Sequence, residues 1–185
     1  MMKPVPYVMS TQHPDNAFMP DWAGKKFERR EEVREVYYAY KLGCDEQLWD
    51  WEGKDVDPYV VRKLLERYGD FFRDHVLGRD LRLTYRLPNP WVEVSERKVF
   101  AEALETIPRA YDEALAFYGR LEVPPVFEVI LPLTRSHREV LAVLSYYRKV
   151  VGGKCGTDLG WGYSVADVIG EVRPREVSVI PLIED

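Results

Sequence analysis

Apolar positions recur at helical spacing in four stretches of the chain. From Lys26 to Leu42, Val33, Val36, Tyr37 and Tyr40 fall at i, i+3, i+4 and i+7, and Gly43 is the residue a helix C-terminus favours. A second helix opens with Asp57 as cap and Pro58 at its first position, turns Val61, Leu64, Leu65, Tyr68 and Phe72 inward, and ends near Asp74. The third begins around Ser95 with Val99, Phe100, Ala103 and Leu104. Pro108 interrupts or restarts it before Tyr111, Ala114, Leu115 and Tyr118 continue the pattern. Ser136-His137-Arg138-Glu139 reads as a capping box in front of a fourth helix that buries Leu141, Leu144, Tyr147 and Val151.

Short apolar runs of strand length lie between and around these helices, at Val5–Met9, Leu81–Leu87, Val126–Leu131 and Val177–Leu182. Strands separated by helices pair in parallel through crossovers, so the chain is expected to be α/β. A parallel barrel of eight such units takes about 250 residues, and four strands in this length amount to about half of one. The segment Asp45 to Lys54, with its four carboxylates and two tryptophans, reads as a long polar loop pinned by its aromatic rings.

The composition narrows the class. With 185 residues, 46% of them apolar and 13% aromatic, the chain can bury the core of one domain, residues 1–185, and disorder is excluded. Its 26 basic residues stand against 31 acidic ones, for a net charge of -5, and no basic block is present to follow a phosphate backbone; nucleic acid is not an expected partner. No apolar run reaches the roughly 18 residues of a membrane span, and the start lacks a signal peptide, so a cytoplasmic protein is expected. Cys44 and Cys155 stand far apart without metal-binding spacing and read as inert thiols.

Chemistry in parallel α/β folds gathers beyond the C-terminal strand ends. There the chain offers His13, then Arg82 and Arg86, then Glu128 with Thr134 and Arg135, and finally Glu184. If the strands are placed correctly, a histidine, arginines and carboxylates converge on one rim. That set suits an anionic substrate held by guanidinium forks, with a divalent metal on carboxylate. Each residue also has a plain structural reading: a turn around His13, charged strand positions for the arginines, and a solvated Glu184. His75 and His137 sit at helix ends and read as surface or capping groups.

Longer segments add a resemblance. MSTQHPDN at 9–16, LGCDEQLWDWEGKDVD at 42–57, FFRDHVLGRDLRLTYRLPNP at 71–90, FEVILPLT at 127–134 and VIPLIED at 179–185 together resemble the archaeal-type phosphoenolpyruvate carboxylases. Only residues 154–163 have no counterpart in it. The resemblance covers the N-terminal portion of that family. It implies a partial phosphoenolpyruvate-type (β/α)8 barrel with additional helices, a homotetramer in the full-length form, and dependence on Mg2+ or Mn2+. The reaction it implies is carboxylation of phosphoenolpyruvate by bicarbonate to oxaloacetate and phosphate.

By the same resemblance His13 takes the role of catalytic histidine, Glu184 that of metal ligand, and Arg86, with Arg82 as the nearby alternative, that of substrate-binding arginine. The family's second metal carboxylate, its catalytic lysine and further arginines belong to segments beyond residue 185. Two other readings stand beside this one. One is a noncatalytic assembly module built on the same fold; the other is a different magnesium lyase of the same barrel class acting on an enolate.

Overall fold

The computed structural model describes residues 6–10, 29–53 and 56–184, with side chains in the first helix from residue 32 onward. Five strands make one parallel sheet: β1 (Met9–Ser10), β2 (Glu46–Asp50), β3 (Arg82–Arg86), β4 (Glu128–Leu131) and, after a hairpin described below, β7 (Ser178–Pro181). They lie in the order β1-β2-β3-β4-β7, so each strand of the sheet is hydrogen-bonded to the next one in sequence. All four pairings are parallel. The α/β expectation holds, and the order never reverses.

The connecting helices are α1 (Arg29–Lys41), α2 (Val60–Arg67), α3 (Gly69–Asp74), α4 (Arg97–Tyr118) and α5 (His137–Tyr146). Alternation along each strand divides the sheet into two faces. Trp49, Leu83, Tyr85, Val129 and Leu131 point to one, where all are within 2% of complete burial. Val33, Val36 and Tyr40 of α1, Leu64 of α2 and Leu104 and Ile107 of α4 belong to the same apolar cluster. Glu46, Leu48, Asp50, Arg82, Thr84, Arg86, Glu128 and Ile130 alternate onto the other face.

Several local expectations change. The segment read as a pinned loop contains β2, every residue of which is buried. The helix expected from Asp57 to Asp74 is two helices, because Tyr68 leaves helical geometry at φ -127. Asp57 still organises the entry, accepting the Tyr59 N–H at 2.9 Å and pairing with Lys63. Pro108 does not break α4, which runs continuously for 22 residues to Gly119 in the left-handed region. At α5 the Ser136 side chain makes no cap bond, and Glu139 instead accepts the Arg135 N–H at 3.0 Å. The buried stripe there is Val143, Tyr147 and Val151, the last two in a π turn that extends the helix, whereas Leu141 is exposed.

Residues 154–163, which matched no familiar segment, open a small lobe. A 3-10 turn leads to a hairpin, β5 (Asp158–Gly160) with β6 (Tyr163–Ser164), and then to α6 (Val165–Ile169). The capping box expected at Ser136 is absent there, and one occurs here, between Ser164 and Asp167. Cys44 and Cys155 are both free thiols. No helix among the described residues is long and apolar enough to cross a membrane.

Candidate functional site

The second sheet face carries a ladder of polar groups that only neighbouring strands can satisfy. Register places Glu46 beside Arg82, Leu48 beside Thr84 and Asp50 beside Arg86. Thr84 donates its hydroxyl proton to Glu46, and Arg82 Nη1 donates to Glu128 Oε2 at 2.9 Å. Burial, and then the Glu128 charge, push the Glu46 carboxyl above its ordinary value; Thr84 and Arg82 pull the other way without cancelling the rise. A buried carboxylate strand is tolerated because each charge meets a donor or a counter-charge across the ladder.

Arg82 and Arg86 therefore do not converge. They share a face but begin and end β3, about 13 Å apart along a strand that rises about 3.3 Å per residue. Arg82 belongs with Glu128, the first residue of β4, at the N-terminal edge of the sheet. The expectation of one rim holding both arginines and Glu128 is corrected accordingly, and Arg86 alone of the two sits at the C-terminal edge.

That edge is tied together strand by strand. Trp51 N–H donates to the Arg86 carbonyl, Leu87 N–H to Ile130 and Leu182 N–H to Leu131, each at 2.9 Å. Asn89, completely buried, donates its side-chain amide to the Pro132 and Leu133 carbonyls and accepts the Trp91 N–H. Asn89 thus joins the loop after β3 to the loop after β4, where Leu133 takes a positive φ of 51°. Thr134 N–H reaches the Leu182 carbonyl at 3.0 Å, joining that loop in turn to the end of β7.

Arg86 is the centre of charge on this edge. Its Nε donates to Asp50 Oδ1 at 2.9 Å and its Nη2 to Asp50 Oδ2 at 2.7 Å, a two-pronged pairing with a carboxylate that is 1% exposed. Nη2 also reaches Glu52 Oε2 at 3.0 Å. Burial opposes the guanidinium charge, but the hydrogen bonds and charge of Asp50, followed by Glu52 and Glu184, outweigh it and raise the pKa above its ordinary value. Glu52 is pushed up to about 7, by burial first and then by its hydrogen bond to Glu93. Glu93 in turn accepts the Asn89 N–H at 2.7 Å.

Glu184 is exposed beyond the end of β7, close enough for its charge to act on Arg86. His13 lies outside the described residues. Among the described residues no three His, Cys, Asp or Glu side chains converge to hold a metal ion. Magnesium often takes only one or two protein carboxylates and completes its shell with substrate oxygens and water, so Glu184 fits as a single ligand. Two surface clefts, of about 490 Å³ beside Trp91, Phe100 and Tyr146 and about 430 Å³ beside Tyr111 and Arg173, include neither Arg86 nor Glu184.

Sequence reasoning missed Asp50, Glu52, Asn89 and Glu93 as members of this edge. Carboxylates two residues apart in Asp50-Trp51-Glu52 were a signal, but their partner is 36 residues away, and a loop reading hides it.

A family model for phosphoenolpyruvate carboxylase matches residues 5–185. The chain is 56% identical to a phosphoenolpyruvate carboxylase of Caldivirga maquilingensis over 186 residues, which is all of this chain and 36% of that protein. It is 55% identical over 183 residues to one of Methanothermobacter thermautotrophicus, covering 98% of this chain and 38% of that protein. A third, from Halobacterium salinarum, is 50% identical over 189 residues, again 38% of its length. The chain thus spans little more than a third of these relatives, and on the strength of matches that run through the whole of it, it belongs to the phosphoenolpyruvate carboxylase family.

Proposed function

We propose that this chain supplies the N-terminal part of a phosphoenolpyruvate carboxylase site, one that forms oxaloacetate and phosphate from phosphoenolpyruvate and bicarbonate. The observation that carries this reading is Arg86, a charged fork fixed on the C-terminal edge of a parallel sheet whose strands follow in sequence order. Sequential order is what a (β/α)8 barrel requires, whereas a doubly wound sheet reverses at a switch point. We read the sheet as about half a phosphoenolpyruvate-type barrel with additional helices, and its charged face as part of the barrel interior.

The reaction begins when a bicarbonate oxygen attacks phosphorus and the bond from phosphorus to the enolate oxygen breaks. Carboxyphosphate then releases carbon dioxide and phosphate, and the enolate carbon attacks the carbon dioxide. Arg86 would bind an anionic oxygen of the substrate and stabilise charge that builds on the phosphoryl group. Arg82, held by Glu128 at the other end of β3, fits less well as the substrate arginine and better as a barrel-interior ion pair. His13 would handle the proton at the carboxyphosphate step. Glu184 would hold Mg2+ or Mn2+, which supplies neutralisation of phosphate and enolate charge when bound. The assembled form we expect is a cytoplasmic homotetramer that binds no nucleic acid.

The test is oxaloacetate production from phosphoenolpyruvate, bicarbonate and magnesium. It is run with this chain alone and then with the remaining segments of the Caldivirga relative supplied as a second polypeptide. Turnover in the mixture that His13→Ala abolishes is the expected result. A folded, assembled mixture with no turnover would point instead to a noncatalytic assembly module.

A further inference from the structure

Arg86 spends its donors unevenly. Nε and one N–H of Nη2 donate to Asp50, and Nη2 also stands in an ion pair with Glu52. Nη1 has no partner among the described residues. Asp50 is itself buried to 1% exposure and is tied to the turn behind it by accepting the Glu52 N–H at 3.1 Å. A guanidinium held along one edge by two parallel hydrogen bonds cannot rotate about its Cδ–Nε or Nε–Cζ bonds without breaking both.

We infer that Asp50 is the positioning residue for Arg86, clamping the Nε–Nη2 edge of the guanidinium so that Nη1 alone is presented to the anionic substrate. This rests on the proposed role of Arg86 and deepens it. Glu52 works on the same group as a brace, its Oε2 standing 3.0 Å from Arg86 Nη2. Among the described residues, the other charges acting on Arg86 are Asp50 beneath it and Glu184 beyond β7.

The experiment is a double-mutant cycle in the assembled mixture, with Asp50→Asn, Arg86→Gln and the pair together. An amide at position 50 keeps the shape but turns one acceptor into a donor facing Arg86. Misplacing a binding group by about 1 Å costs up to about 10²-fold. Asp50→Asn is therefore expected to raise KM for phosphoenolpyruvate about tenfold or more, with a smaller change in kcat. The KM of the double variant should be close to that of Arg86→Gln alone, because the clamp has no guanidinium left to position once Arg86 is gone. Additive losses would overturn the inference, as a general structural role predicts them.

Asp50→Glu carries the same decision if Asp50→Asn fails to fold, since it keeps the charge and shifts the clamp by one methylene. A raised KM there supports the clamp, and an unchanged one overturns it. If Arg86→Gln itself leaves KM unchanged, it is the underlying role of Arg86 that fails. A raised KM for Arg86→Gln with a normal one for Asp50→Asn and Asp50→Glu rejects the clamp alone.

Discussion

Glu52 shows how one residue's surroundings become a property of the fold. Its carboxyl is pushed up to about 7 from an ordinary 4.5, mainly by burial and by Glu93. Between those values the folded chain binds a proton that the unfolded chain has released, so stability falls as pH rises through that window. The contribution is complete below about 4.5 and gone above about 7. Glu52→Gln removes the titration, and its melting temperature should fall less between pH 5 and 8 than that of the unaltered chain. Parallel melting curves for the two proteins would show that Glu52 carries no such shift. At the same scale, Arg82 and Arg86 look interchangeable in sequence, both flanking an apolar strand. Their difference is made by partners, Glu128 for one and Asp50 for the other.

Among the elements, β2 is the one local pattern conceals. Glu-Gln-Leu-Trp-Asp has little β propensity at three of its five positions, and as an isolated peptide it has no reason to be a strand. Its strand status comes from Trp49, completely buried on the helix side, and from the counter-charges of β3 on the other. Trp49→Ala should therefore cost about 3–5 kcal/mol, the range for an aromatic side chain removed from a core. Chemical denaturation measures it, and a loss under about 1 kcal/mol would fit a loop anchor and contradict a central strand. The helices were more legible because their period is local. The offset at α5 arose because periodicity gives the stripe but not its phase against the sheet, and Val143 rather than Leu141 faces inward. Close packing between loops was equally hidden. A Cβ on Gly78, at φ +91°, would stand 2.2 Å from the Pro124 carbonyl oxygen, a contact between segments more than 40 residues apart.

For the whole molecule, the proposed half barrel makes a demand on its edge. Among the described residues β7 pairs with β4 and with no other strand. Ile180 and Leu182 beside it are 37% and 38% exposed. If the sheet continues in the assembled enzyme, backbone amides of β7 should exchange at least about tenfold more slowly in the mixture with the remaining segments than in this chain alone. Equal rates would mean that the sheet ends at β7. The sequence by itself determined the α/β class, the four helical stretches but neither the break at Tyr68 nor α6, four of the five strands of the sheet, and, through its long motifs, the family. Each of these is written in local periodicity or in contiguous residues. Only the tertiary structure decided that Asp45 to Lys54 contains a buried strand, that Asp50 grips Arg86, and that Arg82 belongs to the far edge. The physical reason is that a buried charge is stable only where its counter-charge lies, and here the partners stand 36 and 46 residues apart in the chain, brought together by strand register.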